Sequence, residues 1–245
     1  MVTGTENLLG EFIGTTVLLV FGCGVCANLT LEKSKGQASG WVNIAIGWGF
    51  AVTLGVFTAT TLGAPQGDLN PAVTFGKMLV GIYTLPQFLM TSLVQILGGI
   101  LGATIVWLAY LPHWAETKDP AAKLGVFCTA PAIRNIPCAF LCELIATFFL
   151  MFVIWMIFSK PVGNMVPGYG PYIVGVLIWA LGLSLGGPTG YAMNPARDLG
   201  PRIAHAILPI AGKGGSDWGY ALVPIVAPLC GAGLAYVVAT ALGAF

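Results

Sequence analysis

Arg197 stands directly after the tripeptide Asn194-Pro195-Ala196, and the same tripeptide occurs earlier as Asn70-Pro71-Ala72. Asn is a preferred helix N-cap. Pro suits the first helical position because the N–H it lacks would have no partner there. Each triplet therefore reads as a helix start. A helix N-terminus carries roughly half a positive charge, and the Asn side-chain amide adds a hydrogen-bond donor. Two such starts aimed at one point would repel cations, hydronium included, and pass neutral hydroxylic molecules. The plainer alternative is that Asn70 and Asn194 only cap their helices, which leaves their pairing unexplained.

Four more ionisable residues carry weight because of where they sit. Glu11 and Glu143 lie inside apolar runs, in the matching segments Glu11-Phe12-Ile13-Gly14-Thr15 and Glu143-Leu144-Ile145-Ala146-Thr147. Buried acids in membrane helices either relay protons or brace the structure, and the symmetric placement favours a brace. Asp198 follows Arg197, with Arg202 near enough for a salt bridge. Asp68 stands two residues before Asn70. Its carboxylate either faces a pathway and adjusts selectivity or caps backbone N–H groups of its loop. Cys23-x-x-Cys26 is a possible redox or metal pair, but no His or second Cys pair lies near it in sequence, so both read as small packing residues.

These residues need elements to hold them. The chain has 245 residues, 57% hydrophobic and 8% charged, with a formal net charge of +1. Soluble domains carry about 25% charged residues, so lipid must solvate much of this surface, and no basic patch argues for nucleic acid. Six apolar runs approach the ~20 residues of a membrane span: 8–29, 41–62, 86–110, 137–158, a short 171–185, and 218–244. Polar links cover 30–40, 111–136 and 159–170. No removable signal peptide is evident, since the first run lacks a basic leader.

The triplets fall in two further segments, 67–81 after the second run and 187–208 after the fifth. Each is too short and too broken by Gly and Pro to span. Irregular backbone at membrane depth survives only when buried in protein or lining a wet cavity, so both read as re-entrant loops that return as half-helices. Three runs with a half-helix after the second, then the same again, is a repeat of roughly 1–115 and 135–245 within a single domain, 1–245. An odd number of spans per repeat inverts the second copy. Interrupted segments at matching places in inverted halves point to a pathway at the midplane.

Two Asn-Pro-Ala triplets in register with an inverted six-span repeat resemble the aquaporin family over nearly the whole chain. The resemblance implies an all-α membrane protein with six transmembrane helices and two re-entrant half-helices in an aquaporin-like right-handed bundle. It implies a multi-pass cell-membrane protein with both termini cytoplasmic. The Lys/Arg count opposes that orientation. Lys33, Lys35, Lys118, Lys123, Arg134, Arg197, Arg202 and Lys213 lie in the first, third and fifth links, and only Lys77 and Lys160 on the other side. The resemblance is followed over the positive-inside rule.

The same resemblance places Arg197 at the narrowest point of a pore, where its guanidinium supplies fixed donors and a permanent charge. Trp48, in Gly47-Trp48-Gly49, matches the aromatic of glycerol channels, against the alternative of a lipid-interface anchor. Tyr191 matches their second aromatic, commonly Phe. Gly182 falls where water-selective members place His, and is expected to leave the ring wide. Asp198, Arg202, Pro224 and Ile225 also match the glycerol branch. Asp68 departs from the His of many members. Glu11 and Glu143 are implied to accept hydrogen bonds from the two re-entrant loops.

The function implied is a passive channel for glycerol and similar small neutral solutes, with water as co-permeant. Protonated lactic acid, urea or dihydroxyacetone would fit the same ring. A proton-coupled transporter of small acids, using Asp68, Glu11 or Glu143, is the alternative of a different class. A membrane enzyme lacks support, with no H-E-x-x-H, no nucleophile elbow and only His113 and His205. No cofactor or metal is expected. The family implies a homotetramer in the bilayer. Gly98, Gly99, Gly102, Gly231 and Gly233 would permit close packing, between subunits or within one.

Overall fold

The structure, a computed structural model, describes residues 7–166 and 168–244. The described residues form helices joined by turns and loops, without strands. The long apolar helices are α1 (Leu8–Thr30), α2 (Trp41–Thr61), α4 (Leu85–Ala109), α7 (Ile136–Ile157) and α10 (Val223–Ala241), each long and apolar enough to cross a membrane. The fifth apolar run forms α8 (Tyr169–Leu185), which at 17 residues is the short one. The half-helices are α3 (Pro71–Leu79) and α9 (Pro195–Ile207).

Two expectations need correction. The link 111–136 is not simply a polar connector: it holds α5 (Leu111–Glu116) and α6 (Pro120–Phe127). Asp119 caps α6, accepting a hydrogen bond from the Ala121 N–H at 2.8 Å, with Pro120 next. That is the same N-cap and proline logic as in the triplets. Trp114 and Phe127 are buried beneath this segment, so it folds inward as a cap. The last long helix starts at Val223 rather than Trp218. Arg202 Nη1 pulls back the residues before it, donating to the carbonyls of Ser216 at 2.7 Å and Asp217 at 3.0 Å.

Packing follows the order of the two halves. α1 lies against α2 and α4, α7 against α8 and α10, and α2 against α8 across the halves. α3 rests on α4 and α10, and α9 likewise. Close approach comes from glycine at equivalent places. A Cβ on Gly98 would meet the Phe12 carbonyl oxygen at 2.4 Å, and one on Gly231 would meet that of Leu144 at 2.4 Å. Gly98 and Gly102 thus face α1, Gly99 faces α9 and Gly231 faces α7. These small residues serve helix contacts within the chain.

Counting crossings puts residue 8 and residue 241 on one face, with α3 and its loop. α5, α6, α9 and the link 30–40 belong to the opposite, distal face. Outside the membrane there, Lys33 lies 2.6 Å from Glu116 and holds its carboxyl below the usual carboxylate range.

Candidate functional site: a pore between two half-helices

Both re-entrant loops are built alike. Leu69 and Met193, each just before its triplet, have left-handed backbone with φ of 52° and 47°. Such conformations are costly for side-chain-bearing residues, so something must hold them. Glu11 does so in the first loop, accepting from the N–H groups of Asp68 and Leu69 at 2.8 Å each. Glu143 does so in the second, accepting from Ala192 at 2.9 Å and Met193 at 2.8 Å. Gln95 Nε2 also donates to Glu11 at 2.9 Å, and the Thr189 hydroxyl to Glu143 at 2.7 Å. Both carboxylates are fully buried. In each of these contacts the carboxylate oxygen accepts, the arrangement of a brace.

The two triplets meet and are cross-linked. Asn70 Oδ1 accepts from the Ala72 N–H at 2.8 Å, and Asn194 Oδ1 from Ala196 at 3.0 Å and Arg197 at 3.1 Å. Pro71 and Pro195 open the half-helices. Asn70 Nδ2 donates to the Met193 carbonyl at 2.9 Å, and Asn194 Nδ2 to the Leu69 carbonyl at 2.8 Å. A side-chain amide has two N–H donors. One on each Asn is committed to the opposite loop, so one remains. Capping and cross-linking are thus both present, and two positive helix ends are fixed at one depth.

Arg197 leaves α9 one turn from this point. It is 7% exposed, and its Cζ lies 4.1 Å from the Trp48 ring centroid, in cation–π range. Its Nη1 donates to the Phe127 carbonyl of the distal cap at 3.3 Å. Trp48 is buried, with its ring edge against Gly22 of α1, which is not the position of a lipid-interface anchor. Tyr191 lies beside Trp41, ring centroids 5.9 Å apart and edge to face. The Trp41 indole N–H donates to the Gly182 carbonyl at 2.8 Å.

Gly182 does not leave an open side, contrary to expectation. A Cβ there would stand 2.7 Å from Tyr191 Oη and 2.8 Å from its Cζ. The room left by the missing side chain is filled by the tyrosine ring. Gly182 therefore seats the aromatic rather than widening the ring directly. Tyr191 Oη is buried and makes no hydrogen bond among the described residues.

Each half also carries a buried ion pair. Arg202 Nε donates to Asp198 Oδ1 at 2.8 Å, with both side chains fully buried. Asp198 Oδ2 accepts from the N–H and hydroxyl of Thr129 at 2.8 and 2.7 Å, tying the cap to α9. In the first half, Lys77 Nζ lies 2.5 Å from Asp68 Oδ1, and the Thr74 hydroxyl donates to Oδ2 at 3.0 Å. Asp68 lines the cavity, and its carboxylate does not cap the backbone N–H groups of its loop. Its own N–H is held by Glu11, and its carboxylate answers Lys77 and Thr74 rather than backbone N–H groups. Cys23 and Cys26 are buried free thiols on α1.

A cavity of about 240 Å³ runs from Asp68 and Lys77, past Val56, Asn70 and Asn194, to Trp48 and Arg197. Sequence reasoning missed Lys77, Gln95, Phe127 and Thr129. Lys77 and Gln95 were findable as isolated polar residues in apolar segments. The Phe127 carbonyl leaves no sequence signal.

The fold and site define a class: a helical membrane protein with a cavity between two opposed half-helices. The pattern of the Major intrinsic protein family matches residues 2–239, and the chain belongs to that family. It is 52% identical over 228 residues to the glycerol uptake facilitator protein 3 of Lactiplantibacillus plantarum, covering 93% of each chain. It is 41% identical to the D/L-lactic acid transporter of the same organism over 94% of each. The aquaglyceroporin of Plasmodium falciparum matches in structure with a TM-score of 0.84, at 29% identity, over 96% of this chain and 95% of that one.

Proposed function

We propose that this protein is a passive transmembrane channel for glycerol and related small neutral solutes, with water as co-permeant. The observation that carries the reading is the guanidinium of Arg197 lining the same cavity as the rings of Trp48 and Tyr191. A polyol has a carbon face and a hydroxyl face. The rings take the first and the guanidinium the second, while the remaining Asn70 and Asn194 donors receive hydroxyls at the centre. Cations meet Arg197 and two positive helix ends and are turned back. The relatives named as glycerol facilitators support this choice of solute.

The chain acts as one domain of two inverted halves, multi-pass in the cell membrane, with the face of α3 and both described ends cytoplasmic. A homotetramer in the bilayer is part of the same proposal. The relative named as a lactic acid transporter supports a second solute, since a protonated hydroxy acid also offers carbon and hydroxyl faces. Stopped-flow light scattering of reconstituted vesicles, challenged in turn with glycerol, urea, lactic acid and sucrose, tests both. Fast glycerol entry with sucrose excluded is expected. Sucrose passing as readily as glycerol refutes the filter.

A further inference from the structure

The cavity is polar at its middle and at Arg197, but most of its wall towards the α3 face is apolar, including Val52, Val56, Leu150, Ile154 and Val174. A solute crossing it must shed water before it reaches a fixed donor. On α3, Asn70, Val73 and Lys77 all line the cavity. Their spacing of three and four residues puts them on one helix face. Lys77 therefore continues the pore-facing stripe of α3 towards the mouth. In the other half-helix the equivalent of Val73 is Arg197 and the equivalent of Lys77 is Pro201. Each half thus carries one long cation on its pore face, one turn deeper in α9 than in α3.

The Lys77 ammonium is set up as a donor rather than as a bare charge. It has three N–H bonds. One goes to Asp68 Oδ1 at 2.5 Å and one to the Gln66 carbonyl at 3.1 Å, leaving a third. The Lys77 side chain is 14% exposed and that of Asp68 fully buried. Both line the cavity, with the cation the more exposed partner and its counter-charge packed beside it. Opposite charges in contact largely cancel at the range of an approaching ion, while a hydrogen bond from the ammonium to a hydroxyl oxygen persists.

We propose that Lys77 is a second solute-contacting residue, a hydroxyl-binding station at the α3 mouth of the pore, and that Asp68 orients it and neutralises it. The inference rests on the channel reading above and adds to it a specificity determinant. Glycerol, with three hydroxyls to desolvate, depends on this donor more than water does, which keeps its neighbours in file.

The test is the ratio of glycerol to water permeability in the same vesicles, which divides out the amount of folded pore. Lys77→Met is expected to lower the ratio roughly three- to tenfold, the loss of one hydrogen bond. Lys77→Arg, which restores a donor, returns it towards the parent value. Asp68→Asn keeps the donor and lowers the ratio less than Lys77→Met does. An unchanged ratio in Lys77→Met overturns the proposal. So does an equal fall in Asp68→Asn and Lys77→Met, which is the signature of a brace. A parent protein that conducts no glycerol overturns the channel reading instead, and so is told apart from either result.

Discussion

Arg197 is asked to do two things: bind solute hydroxyls and repel cations. A unit charge 4 Å from a like charge costs it about 4 kcal/mol at an effective dielectric of 20. Even part of that, added to the helix ends, is a barrier. Arg197→Val should admit a partial cation or proton leak, read with a pH-sensitive dye trapped in vesicles, while neutral solutes still pass. A variant as cation-tight as the parent would move exclusion to Asn70 and Asn194 alone. At Gly182 the expectation is set by contact. Gly182→Ala places a Cβ within 2.8 Å of the Tyr191 ring, so the ring must yield towards the pore. The glycerol-to-water ratio should fall in the same stopped-flow assay, and an unchanged ratio would show the ring has another way to give. Tyr191→Phe removes a buried hydroxyl without a hydrogen bond among the described residues. Thermal unfolding in detergent should show it neutral, or stabilising by about 1 kcal/mol.

Among the elements, the re-entrant loops are held by buried acids. Glu143 accepts three hydrogen bonds, from Thr189, Ala192 and Met193. Glu143→Ala should lower stability by about 2–5 kcal/mol, the sum of three hydrogen bonds. Glu143→Gln keeps one acceptor oxygen and should cost less. The check is the melting temperature of purified protein; wild-type melting with a changed pH profile of transport would favour a proton relay. The helix starts at Pro71 and Pro195 were legible because N-cap chemistry is local, and so were the long spans. The shape of the link 111–136 was not. Its helices are short, and α6 begins at Asp119-Pro120, a signal easily passed over in a segment taken as a connector. Gly182 was misjudged for another reason. A glycine in a sequence says that space exists, and only the fold says that Tyr191 fills it.

Across the whole molecule, the excess of Lys and Arg on the distal face has a structural explanation. Many of those charges serve the fold. Arg134 pairs with Asp217 and Arg202 with Asp198. Lys123 donates to the Ala211 carbonyl. Lys213 closes the C-terminus of α9 through the carbonyls of His205, Ala206 and Leu208. Charges spent on ordering a cap carry less weight as guides to orientation than free ones. The central claim concerns the molecule as a conduit: solute moves only down its own gradient. Reconstituted vesicles holding equal glycerol inside and out, with radiolabelled glycerol added outside only and a pH step then imposed, test it directly. Passive conduction predicts rapid exchange of label with no net accumulation in either direction of the step. Accumulation of glycerol against its own gradient, driven by the pH step, would contradict the account.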